Sequence, residues 1–353
     1  MAVVDLDTAR SRLRDWFAIK LPQAGDVVIS SLRRPDSGAS NETFFVELQW
    51  RCGSDIRVEK LVVRWPPGGY KVFPDYAYDM TQQYTLLYRL GDTSVPVPPA
   101  RWLEEDAAVI GAPFYIVDQV DGWVPGDFPP YQIAGPLFEA KAAEKAKTWW
   151  SAVDTMAAIH TLDWRKAGLD FLGVPGAGKN YIERQVAYYE EVFQQNSEPM
   201  PGILKTSRDW LLKNSFEPRH FSLCWGDARL GNMIICDHQV AAVLDWEMAC
   251  IGDPESDLGW FAHIDWATSV GRPASPFPRM TGLPSMQETI AHYEQATKRK
   301  VENLHYYEVL ATWRLAILFT RMENNESYLE RSKNKKGFIT WSHFEKLRNL
   351  LGL

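Results

Sequence analysis

Along the first third of the chain, apolar and polar positions alternate in short runs. After an opening segment with helical charge spacing (MAVVDLDTARSRLRDWF), DVVISSLRRP (26–35), ETFFVELQW (42–50) and EKLVVRW (59–65) carry the period-two pattern of strands. The small residues DSGASN (36–41) turn between the first two, and PPGG (66–69) halts the third. DYAYDMTQQYTLLYRL (75–90) instead sets Tyr76, Met80, Tyr84 and Leu87 at helical spacing. VPVPPARWLE (95–104) is a proline-stiffened connector entering a strand, and AAVIG (107–111) and PFYIVDQV (113–120) add two more. Strand, loop, strand, strand, helix, strand, strand predicts an α+β arrangement: an antiparallel sheet of about five strands with one helix.

The pattern changes across DGWVPGDFPPYQIAGP (121–136), which is rich in Gly and Pro. Beyond it, helical periods dominate at 137–162, 180–195, 203–214, 285–299 and 304–323. The chain therefore divides into residues 1–120, a strand-rich lobe, and 121–353, a mainly helical one. One β-like island, HFSLCWGDARLGNMIICDHQVAAVLDWEMACIGDPESDLGW (220–260), interrupts the helices.

Composition narrows the function classes. Over 353 residues the net charge is −7, which gives nucleic acid or an anionic membrane no polybasic surface. The scattered Cys52, Cys224, Cys236 and Cys250 form no C-x-x-C pair and fit a reduced cytoplasmic protein. The seven histidines show no zinc spacing. Nothing reads as a signal peptide or membrane span. Fifteen tryptophans point to large buried platforms or an aromatic pocket.

Candidate chemistry sits in the island. MIIC (233–236) and AAVLD (241–245) fit a hairpin turning at DHQ, which would bring Asn232 and Asp245 together at its open end. A carboxamide and a carboxylate side by side suit Mg²⁺ when phosphates complete its shell. Asp227 precedes Asn232 by five residues and faces the same ion's cargo. As isolated residues, Asp and Asn are ordinary turn formers. The hairpin ending in Asp-Trp-Glu, and GDPESDL after it, argue for more.

WGDARLGN followed by LDWEMACIGDPESDL resembles the H-G-D-x-x-x-x-N, D-W-E, G-D-P-x-x-D-L signature of the aminoglycoside phosphotransferase and choline kinase group of small-molecule kinases. The likeness extends to DSGASNETFFVEL, VVRWPPGG, VPVPPARW and FYIVDQVDG. It is strongest to the branch related to kinase domains fused to acyl-CoA dehydrogenases. The resemblance implies a bilobal protein-kinase-like fold and transfer of the γ-phosphate of ATP, with Mg²⁺, to a hydroxyl of a small molecule.

It also implies roles. Asp227 orients the acceptor hydroxyl and takes its proton, Arg229 steadies the transferring group, and Asn232 and Asp245 hold magnesium. Ser40 and Asn41 belong to a loop covering phosphates, and Arg64 stands where kinases keep a lysine. The backbone of Asp118, Gln119 and Val120 reads adenine, and Asp257 braces the catalytic loop or simply begins a helix. Gln83 replaces the usual helix glutamate, leaving Asp79 as a possible substitute partner for Arg64. Trp225 replaces a histidine and loses its hydrogen bond. The alternative is a kinase-shaped nucleotide-binding or regulatory protein with little or no transfer. A monomer or homodimer is expected.

GVPGAGKN (173–180) matches a phosphate-loop template except at Asn180, which lacks the required hydroxyl. It follows no buried strand of a βαβ unit, so it reads as a turn with Asn180 as a helix N-cap. Trp260, Phe261 and Trp266 favour a partly apolar acceptor, and His160 reads as a core histidine.

Overall fold

The computed structural model describes residues 4–35, 41–127, 129–173, 180–195, 198–272, 276–326, 329–330 and 338–353. The chain divides into two compact units, Met1–Asp121 and Gly122–Leu353.

In the first unit, β1 (Gly25–Ile29), β2 (Glu42–Cys52), β3 (Asp55–Trp65), β4 (Ala100–Glu104) and β5 (Phe114–Asp118) form one antiparallel sheet in the order β1-β2-β3-β5-β4. One face buries Phe44, Val46, Leu48, Leu61, Val63 and Trp65 beneath helix α1 (Leu6–Lys20), whose Ala9, Leu13, Trp16 and Phe17 share one stripe. Helix α2 (Met80–Leu90) packs on β4 and β5.

Three expectations need correction. Ala107–Gly111 is a turn ending in Gly111 at φ +101°, and the strand is Ala100–Glu104 instead. The 75–90 stretch is a 3₁₀ turn (Asp75–Tyr78) and then α2, because the Asp79 carboxylate accepts the Gln82 N–H at 3.1 Å and starts the helix there. The 137–162 stretch breaks into α3 (Pro136–Glu139) and α4 (Ala142–Thr161), where Glu144 accepts the Lys141 N–H at 2.8 Å.

The second unit is built around α4, α7 (Glu255–Ala267) and α9 (Leu304–Met322), with α5 (Tyr181–Gln194), α6 (Gly202–Lys213), α8 (Met286–Thr297) and α10 (Phe338–Leu351) packed against them. Helix α7 is buried from Glu255 to His263, polar and apolar residues alike, so no amphipathic stripe betrays it. Two short ladders complete the unit: β6 (Ser222–Cys224) with β9 (Cys250–Gly252), and the hairpin β7 (Met233–Cys236)–β8 (Gln239–Val243). Val240 N–H donates to Ser151 Oγ at 2.9 Å and seats the hairpin on α4. Asn180 caps α5, accepting the Glu183 N–H at 2.9 Å. Residues 174–179, including Lys179, lie outside the described residues.

Two histidines set an acid limit. His343 of α10 and His263 of α7 are buried with ring centroids 5.3 Å apart. Burial, and for His263 also the neighbouring His343 and Lys346, push both below the ordinary imidazole value, His343 to about 4. A depressed histidine contributes stability that is whole above about pH 6.5 and is lost as the pH falls toward the folded value. Between pH 7 and pH 5, His343 alone should cost about 2 kcal/mol. Chemical denaturation at the two pH values should show that loss, and His343→Leu should flatten it.

Candidate active site

The candidate catalytic segment hangs between β6 and the hairpin. Its backbone is pinned from below by Asp257, at the start of α7. That buried carboxylate accepts the N–H groups of Trp225 at 2.6 Å and Gly226 at 2.8 Å, and the His160 Nε2–H at 3.0 Å. His160 is a fully buried core histidine whose Nδ1 accepts the Tyr293 hydroxyl at 2.7 Å. At Gly226 φ is +90°, and a Cβ would come within 2.3 Å of Met248 O, so only glycine makes this turn.

The turn presents Asp227. Its Oδ1 accepts the Trp260 indole N–H at 2.7 Å. Its Oδ2 accepts Asn232 Nδ2–H at 2.7 Å and Arg229 Nε–H at 3.0 Å. Arg229 also donates to Asp127 at 2.5 Å. Burial alone disfavours its charge, but the two carboxylates outweigh burial and hold the guanidinium more firmly protonated than usual. A Cβ at Gly231 would meet Arg229 Nη1 at 2.6 Å and Asp127 Oδ1 at 3.0 Å, so a larger residue there would push this pair aside.

Asn232 and Asp245 flank the open end of the hairpin. Met233 faces Val243, and the Leu244 N–H donates to Asn232 O at 2.8 Å. Asn232 spends its amide N–H groups on Asp227 O and Oδ2, which among the described residues leaves its carboxamide oxygen, a hard potential ligand, without a donor. Asp245 has φ +60°, a left-handed conformation that aspartate adopts more readily than most residues and that turns the chain just after β8. A carboxylate and a carboxamide oxygen at one hairpin end fit a magnesium ion whose remaining ligands are phosphates and water.

Trp225 overturns one expectation. Its indole N–H donates to Leu244 O at 2.8 Å, so the residue replacing histidine keeps a hydrogen bond and ties the turn at Gly226 to the residue before Asp245. Trp260 and Phe261 are also not an acceptor wall. Both are buried, Trp260 against Asp227 and Phe261 edge-on to Trp149 at 4.8 Å. Trp266 is half-buried and stacks on His263. Asp127 and the bond from Trp260 had no local signal: each joins residues far apart in sequence.

The candidate nucleotide residues of the first unit stand separately. Asn41 is buried and donates to Gln83 Oε1 at 3.4 Å, while Ser40 lies outside the described residues. Arg64 lies on β3 opposite Thr43 and Tyr115, its guanidinium 6.0 Å from the Tyr115 ring centroid. Asp79 is occupied as the α2 cap. Asp118 ends β5 with its carboxylate on Arg101 at 2.6 Å, Gln119 donates its N–H to Lys60 O at 2.9 Å, and Val120 follows.

Comparison with known proteins agrees with this architecture. Mouse acyl-CoA dehydrogenase family member 11 is 30% identical over 291 residues, 79% of this chain and 34% of that protein. The human protein of the same description is 29% identical over 262 residues, 73% of this chain and 31% of its own length. The chain thus spans about a third of these relatives. A crystal structure from Ralstonia eutropha, provisionally assigned as an aminoglycoside phosphotransferase, aligns over 98% of this chain and 99% of its own, with TM-score 0.68 and 23% identity. An aminoglycoside phosphotransferase in complex with ADP and hygromycin B covers 95% of this chain and 98% of its own, with TM-score 0.57 and 13% identity. These structures share the kinase-like α+β fold. No helix among the described residues is long and apolar enough to cross a membrane. Residues 31–292, more than half of the sequence, match the description "Phosphotransferase enzyme family", and the chain belongs to that family.

Proposed function

We propose that the chain is an ATP- and Mg²⁺-dependent phosphotransferase that moves the γ-phosphate to a hydroxyl of a small molecule. The observation that carries this reading is the bonded pair Asp227 and Asn232, with Asp245 following the residue that pairs with Asn232 at the hairpin end, and with the Asn232 carboxamide oxygen left without a donor among the described residues. Asp227 holds the acceptor hydroxyl. As the acceptor oxygen bonds to the γ-phosphorus, the bond to the β–γ bridging oxygen breaks. Its electron pair leaves with ADP, and the acceptor's proton passes to Asp227. Asn232 and Asp245 would hold magnesium, which would supply neutralisation of phosphate charge. Arg229, fixed by Asp127 and Asp227, keeps the carboxylate from rotating and adds positive charge near the transfer.

In the first unit, Arg64, Ser40 and Asn41 serve the phosphates, and the Asp118 C=O and Val120 N–H, on either side of Gln119, serve adenine. Arg64 offers two-pronged contact to phosphate oxygens. Gln83 favours a second reading, nucleotide binding without transfer, because a neutral amide cannot form the ion pair of active kinases. Its Oε1 accepts from Asn41 instead.

Calorimetry with ATP separates these readings. The kinase reading expects binding that weakens at least about ten-fold when Mg²⁺ is chelated, with the same loss in Asp245→Asn. Metal-independent binding, unaffected by Asp245→Asn, would establish the second reading. Cytoplasmic residence and small-molecule partners complete the proposal.

A further inference from the structure

We infer that Trp260, backed by the buried Arg314, is a positioning residue that aims Oδ1 of Asp227 at the acceptor hydroxyl. The inference rests on the phosphotransferase reading and specifies which oxygen does the work.

A carboxylate offers about four acceptor positions, two on each oxygen. Among the described residues, Oδ2 of Asp227 has both taken, by Arg229 Nε–H and Asn232 Nδ2–H. Oδ1 holds only the Trp260 N–H, at 2.7 Å, and keeps one position open. The two donors on Oδ2 and the one on Oδ1 together stop the carboxylate from spinning. The oxygen left to receive a proton is therefore Oδ1, and Trp260 decides where its open position points.

Trp260 is itself held. It is 1% exposed on α7, with the Arg314 guanidinium from α9 stacked 4.6 Å from its ring centroid. Arg314 lies 4.7 Å from the Tyr189 ring centroid as well, donating to Tyr189 OH at 2.9 Å and Gly226 O at 3.4 Å. Its Nε finds no partner among the described residues. A buried cation held by rings, a hydroxyl and a carbonyl rather than a carboxylate is costly to keep. The arrangement gives that cation a use. A positive charge against the ring face draws electron density from the indole and strengthens its N–H as a donor. Arg314 also holds the carbonyl of Gly226, the residue before Asp227, so one side chain sets both the ring and the turn.

The clean test removes the N–H and keeps the shape. Benzothienylalanine at position 260 replaces the indole N–H by sulfur, and Trp260→Phe is the genetically simple companion. Both should lower kcat at least about ten-fold, the worth of one hydrogen bond to a charged group, with KM for MgATP within about two-fold of the parent. In an Asp227→Asn background, followed by radiolabelled phosphate transfer, the benzothienyl change should cause no further loss, because the two groups act as one unit. Parent-like kcat in the benzothienyl enzyme overturns the inference. So does an equal further loss in the Asp227→Asn background, which marks a purely structural role. A wild-type protein that transfers phosphate to no acceptor defeats the phosphotransferase reading itself, a separate failure.

Discussion

Asp227→Asn is expected to lower kcat by about 10²–10⁴-fold, the usual worth of a positioned proton acceptor. MgATP affinity should change little, because Asp227 belongs to the acceptor side of the reaction. The substitution is not electrostatically silent. The carboxylate accepts a donor on Oδ1 and two donors on Oδ2, so either orientation of an asparagine amide sets N–H groups against another donor. A stability loss of about 1–3 kcal/mol should accompany the rate loss, with Arg229 retreating toward Asp127. Rates measured well below the lowered melting temperature separate the two effects. Parent-like turnover would remove Asp227 from the chemistry.

The second large effect is expected at a residue that touches no substrate. Asp257→Ala leaves the Trp225 and Gly226 N–H groups and the His160 Nε2–H without their acceptor, inside a core where Asp257 is 1% exposed. Removing one member of so buried a charged network costs about 3–5 kcal/mol. For a unit of this size that lowers the melting temperature by on the order of 10 °C. Activity should fall with it even in the cold, because the same bonds set the turn that presents Asp227. Thermal denaturation paired with turnover checks this. An unchanged melting temperature would mean that water or a neighbouring side chain replaces the carboxylate, and the bracing role would be lost.

The two predictions mark the range of what the sequence disclosed. Asn232, the hairpin and Asp245 were legible because the hairpin is local, and its turn and apolar runs fix which ends meet. Asp257 could be located, but only the structure separates an ordinary helix start from a carboxylate holding two backbone N–H groups. The sheet was legible through alternation in β2 and β3. The AAVIG run misled because short apolar runs serve turns as well as strands, and its terminal Gly111 takes positive φ. Helix α7 left no periodic trace because it is buried on every side. The pairs Asp127–Arg229, Trp260–Asp227 and Arg314–Trp260 join distant stretches, and nothing short-range encodes such contacts. Trp260 was the sharpest case. Its type and place pointed to an apolar acceptor, whereas its N–H is spent on the candidate catalytic carboxylate.

GVPGAGKN illustrates the opposite error, a local match without context. Asn180 is the N-cap of α5 within the helical unit, as its missing hydroxyl led one to expect. A phosphate-loop match counts only where a strand leads in and a helix with a hydroxyl at its start leads out.

The central claim is transfer of phosphate to a small-molecule hydroxyl through Asp227. The most direct measurement is ADP release from MgATP across a panel of hydroxylated metabolites and antibiotics, with Asp227→Asn as the blank. The account predicts at least one compound that raises ADP release in the wild type and forms a phosphate ester, with both effects at least about 100-fold slower in the variant. ADP release that no compound raises, or that the variant matches, would contradict it.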